Sequence, residues 1–259
     1  MKISLVMITK NEAGNIAKSL ESVRGLVSEI VILDSGSTDK TVETAKKFNA
    51  KIFTRKFDNF SEQKNFALSL AENEWVLHLD ADEILSKELK EEIKDVLVEK
   101  DVVDYDGFYL TRVNSFLGKR MKYSGIARES RMRLARKSLS KYVGGSVHEC
   151  LEVSGKTSSL KNVFYHNSFP NLNNYFKKFD QYTSLDAEKR YDKNKKFYIT
   201  DVIFRPPIGF IKSYILKLGF LDGMEGFIWA VLSSYYIFVK YIKFYLLKKK
   251  LEKSQSDFS

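Results

Sequence analysis

Cysteine and long apolar runs are scarce in this sequence, and each scarcity excludes a class of protein. The 259 residues include one cysteine, Cys150, so no disulfide framework can form within the chain. The sequence has no internal repeat and no low-complexity linker, and no charged segment followed by an apolar one resembles a signal peptide at its start. These absences predict a cytosolic protein with a conventional hydrophobic core.

No stretch of the chain is apolar for long enough to predict a membrane-spanning helix. The fourteen residues Gly226 to Val239 are uncharged, whereas a spanning helix needs about 20. The net charge is +10, and residues 170–259 hold sixteen Lys and Arg against nine Asp and Glu. Because these lysines alternate with Phe, Tyr, Ile and Leu at helical spacing, they favour an anionic membrane surface over nucleic acid as partner. A solvated helix face is the alternative.

Three apolar runs at the start of the sequence predict an α/β fold. They are "KISLVMIT", "SEIVILD" and "AKIFTR", and amphipathic segments separate them. This alternation predicts βαβαβ, with a parallel sheet flanked by helices and ligands bound at the carboxyl ends of the strands. The polar residues that end the first two strands, and that should line one crevice, are Thr9, Asn11, Glu12, Asp34, Ser35 and Gly36.

Helix starts are marked by serine or threonine residues. Ser37 or Thr38 is predicted to cap a helix that runs through Phe48, while Ser61 and Ser86 should cap the next two helices. After about residue 104 the runs become shorter, which predicts a mixed or antiparallel extension of the sheet. From Asn171 the pattern is helical, with a break at "RPPIGF" because prolines stop one helix and can begin the next.

An acidic cluster follows the fourth predicted strand, in the stretch "WVLHLDADEIL". In an extended segment Asp80 and Asp82 would point the same way and could present oxygens to one site. Two hard carboxylates with room for phosphate oxygens describe a Mg²⁺ or Mn²⁺ site that a nucleoside diphosphate completes. The alternative is an exposed acidic turn without a ligand.

Several motifs together resemble a known family. "SLVMITKNEAGNIAKSLESV", "EIVILDSGSTDKTVETAKK" and "HLDADE" resemble the nucleotide-sugar half of family 2 glycosyltransferases, which are inverting GT-A enzymes. "GGSVHECLEV" and the segment from "RPPIGF" onward resemble a subgroup that includes β-glucosyltransferases of the lipopolysaccharide inner core. The resemblance implies a GT-A catalytic domain over 1–169, with a nucleotide-sugar half (1–104) and an acceptor and base half (105–169). Residues 170–259 would form a helical, basic and aromatic C-terminal region.

The resemblance also implies roles for individual residues. Asp82 is the expected direct metal ligand, with Asp80 and His166 completing the metal shell. For Asp34 and its neighbours a cap or turn is the alternative role, and for His166 the alternative is a core or surface histidine. The residues expected to bind the nucleotide sugar are Thr9, Asn11, Glu12, Asp34, Ser35, Gly36, Asp39, Lys64, Asp80 and Ala81.

The general base is expected in the motif "SVHECLEV". Displacing a diphosphate with inversion needs a group that takes the proton of the attacking hydroxyl. If this motif is extended, Glu149 lies on an apolar face, which suits a carboxylate base. His148 is the alternative base, and a structural ion pair with an arginine is the alternative role for Glu149. Arg128, Arg131 and Arg133 are candidates for holding the diphosphate or an anionic acceptor.

The expected activity is metal-dependent transfer of a hexose, glucose in the first instance, from a nucleoside diphosphate sugar such as a UDP-sugar to a lipid-linked glycan. The cofactor would be Mg²⁺ or Mn²⁺. The enzyme would be cytoplasmic and peripheral at the inner face of the plasma membrane, without a nucleic-acid partner. Its membrane contact would come from C-terminal aromatic and basic residues, unless that helix packs on protein instead. These residues are Phe220, Trp229, Tyr235, Tyr236, Phe238, Tyr241, Phe244, Tyr245 and Lys248 to Lys250.

Two other functions fit parts of the sequence. A nucleotidyltransferase uses a related sheet, but it needs a glycine-rich basic loop after the first strand, where "ITKNEAGN" has a single glycine. A membrane-associated glycan-binding protein would keep the fold without turnover, and the carboxylates at Asp80, Asp82 and Glu149 argue against it.

Overall fold

The computed structural model describes residues 1–98, 104–144 and 149–256. These residues form two compact units. Unit 1 contains 1–113 and 129–167, and unit 2 contains 114–128 and 168–259.

The first half of unit 1 is a parallel sheet with a helix after each of its first three strands, as the sequence predicts. Its strands lie in the order β3-β2-β1-β4, and β1 pairs in parallel with both β2 and β4. Thr9 and Asp34 are paired, so the first two strands end side by side. The elements are β1 (Ile3–Thr9), α1 (Ile16–Ser22), β2 (Glu29–Asp34), α2 (Thr41–Lys46), β3 (Lys51–Thr54), α3 (Phe60–Ser69) and β4 (Trp75–His78).

The second half extends this sheet with antiparallel pairings, which confirms the predicted mixed α/β fold. Beyond β4 the order is β8-β6-β11-β5, with β7 paired to β6, while β9 and β10 form a separate antiparallel pair. The elements are β5 (Glu83–Leu85), α4 (Lys87–Val98), β6 (Gly107–Phe116), β7 (Lys119–Arg120), β8 (Arg128–Arg136), β9 (Ser140–Val143), β10 (Cys150–Val153) and β11 (Thr157–Phe169). Of these, β7 and the last residues of β6 and β11 belong to unit 2.

Alternating side chains of β1 pack on opposite faces of the sheet. Leu5 and Met7 are buried in a core with Leu20 of α1 and Leu89 of α4. Val6, between them, packs in a second core that includes residues of α3. Because successive strand side chains point to opposite faces, an uninterrupted apolar strand requires cover on both sides.

Two of the three predicted helix caps are wrong. The helix α3 begins after Asn59, whose side chain accepts from the N–H of Glu62 at 2.9 Å, while the Ser61 hydroxyl donates to the Gly144 carbonyl. The helix α2 has no side-chain cap, and its first turn follows Lys40. Ser86 does cap α4, because its hydroxyl accepts from the N–H of Leu89. An asparagine cap satisfies the same orphan N–H groups as serine.

Unit 2 is mainly helical. An aromatic cluster of Phe116, Phe169, Tyr175 and Trp229 forms its centre, with ring centroids 5.1 to 6.4 Å apart. Its elements are α5 (Leu172–Asp192), α6 (Ile199–Ile211), a π-helical turn (Lys212–Leu216), a 3-10 turn (Gly219–Asp222) and α7 (Gly223–Ser256).

The predicted helix break at the two prolines is wrong. Pro206 and Pro207 both lie inside α6, which continues to Ile211. Each interior proline costs about 3 kcal/mol of helix stability, so packing must compensate. A Cβ on Gly209 would lie 2.4 Å from Cδ1 of Ile237, so α6 approaches α7 closely, and Ser234 of α7 donates to the Pro206 carbonyl.

The aromatic residues of α7 are divided between the core and the surface. Tyr241 and Phe244 are buried, and Trp229 packs in the aromatic cluster, whereas Tyr235 and Phe238 are exposed. The sequence predicts no membrane-spanning helix, but among the described residues one helical stretch, Gly219–Leu251, is long and apolar enough, by length and composition only, to cross a membrane. For Tyr241 and Phe244 the alternative role, packing on protein, therefore holds in place of membrane contact.

The start of α7 is fixed by the buried carboxylate of Asp222. Its Oδ1 accepts from the N–H of Lys122, and its Oδ2 accepts from the N–H of Tyr123 and the hydroxyl of Ser124, at 2.9 to 3.0 Å. Lys119 donates to the Asp222 carbonyl and also pairs with Glu225. One buried carboxylate therefore satisfies three donors of the segment 122–124.

Replacing this carboxylate should destabilise the protein. Asp222→Ala leaves two backbone N–H groups and a hydroxyl without their acceptor, which should lower the free energy of unfolding by about 3 kcal/mol. Urea unfolding followed by circular dichroism measures the change. The control is Asp192→Ala, an exposed aspartate at the end of α5. Equal stability of the two variants would contradict this role of Asp222.

Candidate functional site

Hydrogen bonds join the loops that follow β1 and β2. The side chain of Asn11 accepts from the N–H of Thr38 at 2.8 Å, and the N–H of Asn11 donates to the Ser37 hydroxyl. The N–H of Glu12 donates to the Thr41 hydroxyl at 2.7 Å. Asn11 has a φ of 56°, a conformation that asparagine tolerates better than most residues. The two loops therefore form one surface at the carboxyl edge of the sheet.

Asp34 forms the turn that the sequence offered as an alternative role. Its Oδ2 accepts from the N–H groups of Gly36 and Ser37 at 2.9 and 2.8 Å, and its Oδ1 accepts from the Ser37 hydroxyl. Gly36 has a φ of 84°, which favours glycine there. The Ser35 hydroxyl accepts from Gln63 of α3. These bonds fix the position of the carboxylate at the end of β2.

Asp39 and Thr9 also lie at the carboxyl edge of the sheet. Asp39 accepts from the hydroxyl and N–H of Thr41 and from the N–H of Ala13, and the Thr41 hydroxyl bond is the main cause that lowers the pKa of Asp39. Thr9 is buried, and within the described part of the chain its hydroxyl has no hydrogen-bond partner. The predicted nucleotide-sugar residues of the first two strands thus lie together, with one unsatisfied polar atom among them.

The acidic cluster is a turn rather than an extended segment. The N–H of Glu83 donates to the Asp80 carbonyl, and the N–H of Asp80 donates to Oε2 of Glu83, both at 3.0 Å. As a result Asp80 and Asp82 contact different groups, and the expectation that they point the same way is wrong. Ala81, between them, is buried.

Asp80 and Glu83 are paired with buried cations. Asp80 lies 3.1 Å from Nζ of Lys64 and 3.0 Å from Nη2 of Arg133. The side chain of Glu83 is fully buried, 2.5 Å from the same Arg133 nitrogen and 3.6 Å from Nη1 of Arg112. Arg133, a candidate for binding diphosphate, therefore has two carboxylate partners inside the protein.

These pairs shift the pKa values of their members in opposite directions. Burial alone would raise the pKa of Asp80, but the charges of Lys64 and Arg133 outweigh it and hold the pKa below its ordinary value. Burial and the neighbouring Asp80 raise the pKa of Glu83, against the effect of Arg133. Burial and the charges of Arg133 and Lys64 lower the pKa of His78 to about 3, so this histidine is neutral.

Lys64 connects the acidic turn to the predicted base. Its ammonium lies 3.0 Å from Oε1 of Glu149 and 5.3 Å from the ring centroid of Tyr142. Burial would lower the pKa of Lys64, but the charge of Asp80 outweighs it and raises that pKa. The expectation of an apolar environment for Glu149 is wrong, because a lysine is its partner. His148, the alternative base, lies outside the described residues.

Asp82 lies beside His166, the other residue expected in the metal shell. Oδ2 of Asp82 is 3.2 Å from Nε2 of His166, and the Asp82 carbonyl accepts from the N–H of Asn167. The described residues contain no group of three or more His, Cys, Asp or Glu arranged to hold a metal. A carboxylate oxygen and an imidazole nitrogen fit a divalent cation whose other ligands are phosphate oxygens and water.

Sequence reasoning placed Glu83 in the acidic cluster without a role of its own, did not single out Arg112, and made Arg133 a candidate for holding the diphosphate or an anionic acceptor. The three arginine candidates differ in exposure. Arg133 is buried, Arg128 is exposed, and the partly exposed Arg131 pairs with Glu129. The run "RMRLAR" in β8 gave no signal for this burial, because alternation with Met132 and Leu134 would place Arg133 on an exposed face, whereas residues 132–135 are all buried.

Removing Arg133 should destabilise the protein strongly. Arg133→Met leaves Glu83 buried without its main partner, which should lower the free energy of unfolding at pH 7 by about 3 to 5 kcal/mol. The folded-state pKa of Glu83 would rise further above its unfolded value. The contribution of Glu83 to stability is then present in full at low pH and lost as pH rises through its folded-state pKa. The difference in unfolding free energy between Arg133→Met and the wild type should therefore be smaller at pH 5 than at pH 7.

Urea unfolding at both pH values measures this effect, with Arg131→Met as the control. Arg131 is 42% exposed and pairs with Glu129, so its removal should cost less than about 1 kcal/mol. A deficit for Arg133→Met that stays constant with pH would contradict the assignment of the buried charge to Glu83.

Comparison with known proteins identifies the family. A sequence model of "Glycosyl transferase family 2" matches residues 4–150, more than half of the chain. An uncharacterised glycosyltransferase of Rickettsia typhi is 28% identical over 255 residues, covering 93% of this chain and 86% of that protein. The lipopolysaccharide core biosynthesis glycosyltransferase LpsC of Rhizobium meliloti is 27% identical, covering 95% of this chain and 92% of LpsC.

Similar solved structures are more distant. S. aureus TarS matches with a TM-score of 0.47 and 18% identity, over 86% of this chain and 46% of TarS. Glucosyl-3-phosphoglycerate synthase from Mycobacterium tuberculosis, crystallised with Mn²⁺, UDP and glucosyl-3-phosphoglycerate, matches with a TM-score of 0.43 and 18% identity, over 64% of this chain and 72% of that one. Because the family model matches more than half of its length, the chain belongs to glycosyl transferase family 2. The observed α/β sheet agrees with the GT-A fold that the sequence predicts for it.

Proposed function

We propose that this glycosyltransferase moves a hexose, glucose in the first instance, from a nucleoside diphosphate sugar to a lipid-linked glycan such as the lipopolysaccharide core. The observation that carries the proposal is the arrangement around the acidic turn. Asp82 pairs with His166, and Lys64 links Asp80 to Glu149, so a carboxylate–imidazole pair and a further carboxylate lie close to one turn.

The nucleoside would bind at the joined loops after β1 and β2. Thr9 offers a buried hydroxyl without a partner in the described part of the chain, and Asp34 holds a carboxylate at the strand end. Ligands of parallel α/β sheets bind at this edge. Asn11, Glu12 and Asp39 would act mainly by fixing the two loops, and a UDP-sugar is the proposed donor.

Asp82 and His166 would hold the divalent cation, Mg²⁺ or Mn²⁺. When bound, the cation neutralises charge on the nucleoside diphosphate. Asp80 would act beside it by keeping Lys64 and Arg133 in place, because both of its oxygens have cationic partners. The acidic motif thus divides into a metal-binding carboxylate and a carboxylate that orders the surrounding cations.

Glu149 would accept the proton of the attacking hydroxyl. A bond forms between the acceptor oxygen and the anomeric carbon, the bond from that carbon to the diphosphate oxygen breaks, and the proton passes to the Glu149 carboxylate. The Lys64 ammonium, 3.0 Å away, fixes the position of this carboxylate. A carboxylate within hydrogen-bond reach of the hydroxyl suffices for this step.

The name of one relative supports the acceptor class. LpsC is a lipopolysaccharide core biosynthesis glycosyltransferase, and the alignment with this chain covers most of both proteins. Such an acceptor is anchored in a membrane, so a peripheral enzyme on the cytoplasmic face would meet it there. The exposed apolar side chains of α6 and α7 suit that location.

Asp82→Ala should remove metal-dependent nucleotide binding. We expect the rise in melting temperature that UDP and Mn²⁺ together produce in the wild type to disappear, and transfer to fall by at least about 100-fold. Thermal-shift measurements with UDP, with and without Mn²⁺, check this. Asp95→Ala, an exposed aspartate of α4, is the control. A full metal-dependent shift in Asp82→Ala would rule out its role as ligand.

Glu149→Gln should separate binding from chemistry. Transfer should fall by about 10² to 10⁴-fold, because the base is lost, while the thermal shift with UDP and Mn²⁺ stays as in the wild type. Glu152→Gln, an exposed glutamate on β10, serves as the matched control. The assay measures release of nucleoside diphosphate from a panel of nucleotide sugars. Undiminished turnover in Glu149→Gln would exclude it as the base.

A further inference from the structure

A cavity in unit 2, remote in sequence from the acidic turn, is lined mainly by cations. Its volume is about 620 Å³, and it lies where the chain passes from α5 to α6. One acidic residue, Asp201, lies among the lining residues and pairs with Arg205 at 2.5 Å. The cationic lining residues are Arg190, Lys193, Lys195, Lys196 and Arg205.

Three cations also converge on the buried ring of Tyr241 in α7. Their distances to its ring centroid are 4.4 Å for Arg190, 5.5 Å for Arg205 and 5.8 Å for Lys240. Burial lowers the pKa of Lys240, and the charges of Arg190 and Arg205 add to this effect against Asp186. The region therefore carries an excess of positive charge, which a bound anion would relieve.

Several cationic groups of the cavity are available to bind a ligand. Lys193, Lys195 and Lys196 are exposed and form no ion pair with any described residue. Nε of Arg190 is buried and has no hydrogen-bond partner within the described part of the chain. Guanidinium and ammonium groups gathered in one cavity are the donors that phosphate groups prefer.

An apolar stripe borders the cavity on α6 and the π-helical turn that follows it. We define it as Phe204, Ile208, Ile211 and Ile215, spaced at helical intervals and each between 49% and 59% exposed. Arg205 and Asp201, which line the cavity, lie on the adjoining side of the same helix. A soluble surface seldom leaves a continuous stripe of this kind uncovered.

We infer that the cavity binds the phosphate of an anionic lipid headgroup while the apolar stripe enters the interfacial region of the bilayer. A free phosphate compound would satisfy the cations but not the stripe, and an uncharged bilayer would satisfy the stripe but not the cations. Both features together match a phospholipid surface. This inference deepens the peripheral-membrane part of the proposed function and rests on unit 2 alone.

Vesicle binding tests the inference. The full chain is mixed, without donor or metal, with vesicles of phosphatidylcholine alone or of phosphatidylcholine with phosphatidic acid, and bound protein is separated by flotation. We expect clear binding to the anionic vesicles and at least about tenfold less to the neutral ones. Equal binding to both vesicles, or to neither, would overturn the inference.

Variants distinguish the cavity from general positive charge. Lys193→Gln, Lys195→Gln and Lys196→Gln together should weaken binding to anionic vesicles at least about tenfold. The matched control combines Lys46→Gln, Lys87→Gln and Lys156→Gln, which removes the same charge from exposed lysines of unit 1. If both triple variants lose binding equally, the cavity is not the site.

Variants of the stripe identify the source of the phosphate. Phe204→Ser with Ile208→Ser should weaken vesicle binding but leave binding of inorganic tripolyphosphate, measured by calorimetry, as in the wild type. Tripolyphosphate binding without vesicle binding in the wild type would overturn the lipid as source. Glu149→Gln should bind vesicles normally, so a failure of the proposed transferase chemistry leaves this result unaffected.

Discussion

The ion pairs that Lys64 and Arg133 make with Asp80 and Glu83 are the constraint on which the site depends. Lys64, Glu83 and Arg133 are buried, Asp80 is partly exposed beside them, and each buried charge alone would be costly. Their pairing makes the turn at 80–83 a defined structure. Because Lys64 also reaches Glu149, the same charges determine where the base of the proposed reaction lies.

Because of these ion pairs, the two aspartates of the acidic motif have different partners. Asp80 has both oxygens paired with cations, so its charge is largely compensated within the protein. Asp82, two residues on, contacts His166 instead. A strand would present both carboxylates to one side, whereas the turn separates them. The turn therefore allows one motif to supply both a structural anion and, in the proposed reaction, the carboxylate that would bind the metal.

The parallel half of the sheet could be predicted from sequence because its information is local. Apolar periodicity indicated β1 to β4, and the strand ends indicated the edge where the predicted nucleotide residues meet. The pairing of Lys64 with Glu149 could not be predicted, because it joins positions 85 residues apart through the tertiary fold. The helix through Pro206 and Pro207 was missed for a related reason, since its stability comes from packing on α7.

Unit 2 illustrates the same limit for surfaces. Composition identified α7 as aromatic and basic, but composition does not specify which side of a helix is covered. In the fold Tyr241 and Phe244 are buried, whereas Phe204 and Ile208 of α6 face solvent. Because α7 packs along one side of α6, it leaves the opposite side of α6 exposed. Exposed apolar side chains thus lie on both α6 and α7, and only the fold shows which of them adjoin the cations around Tyr241.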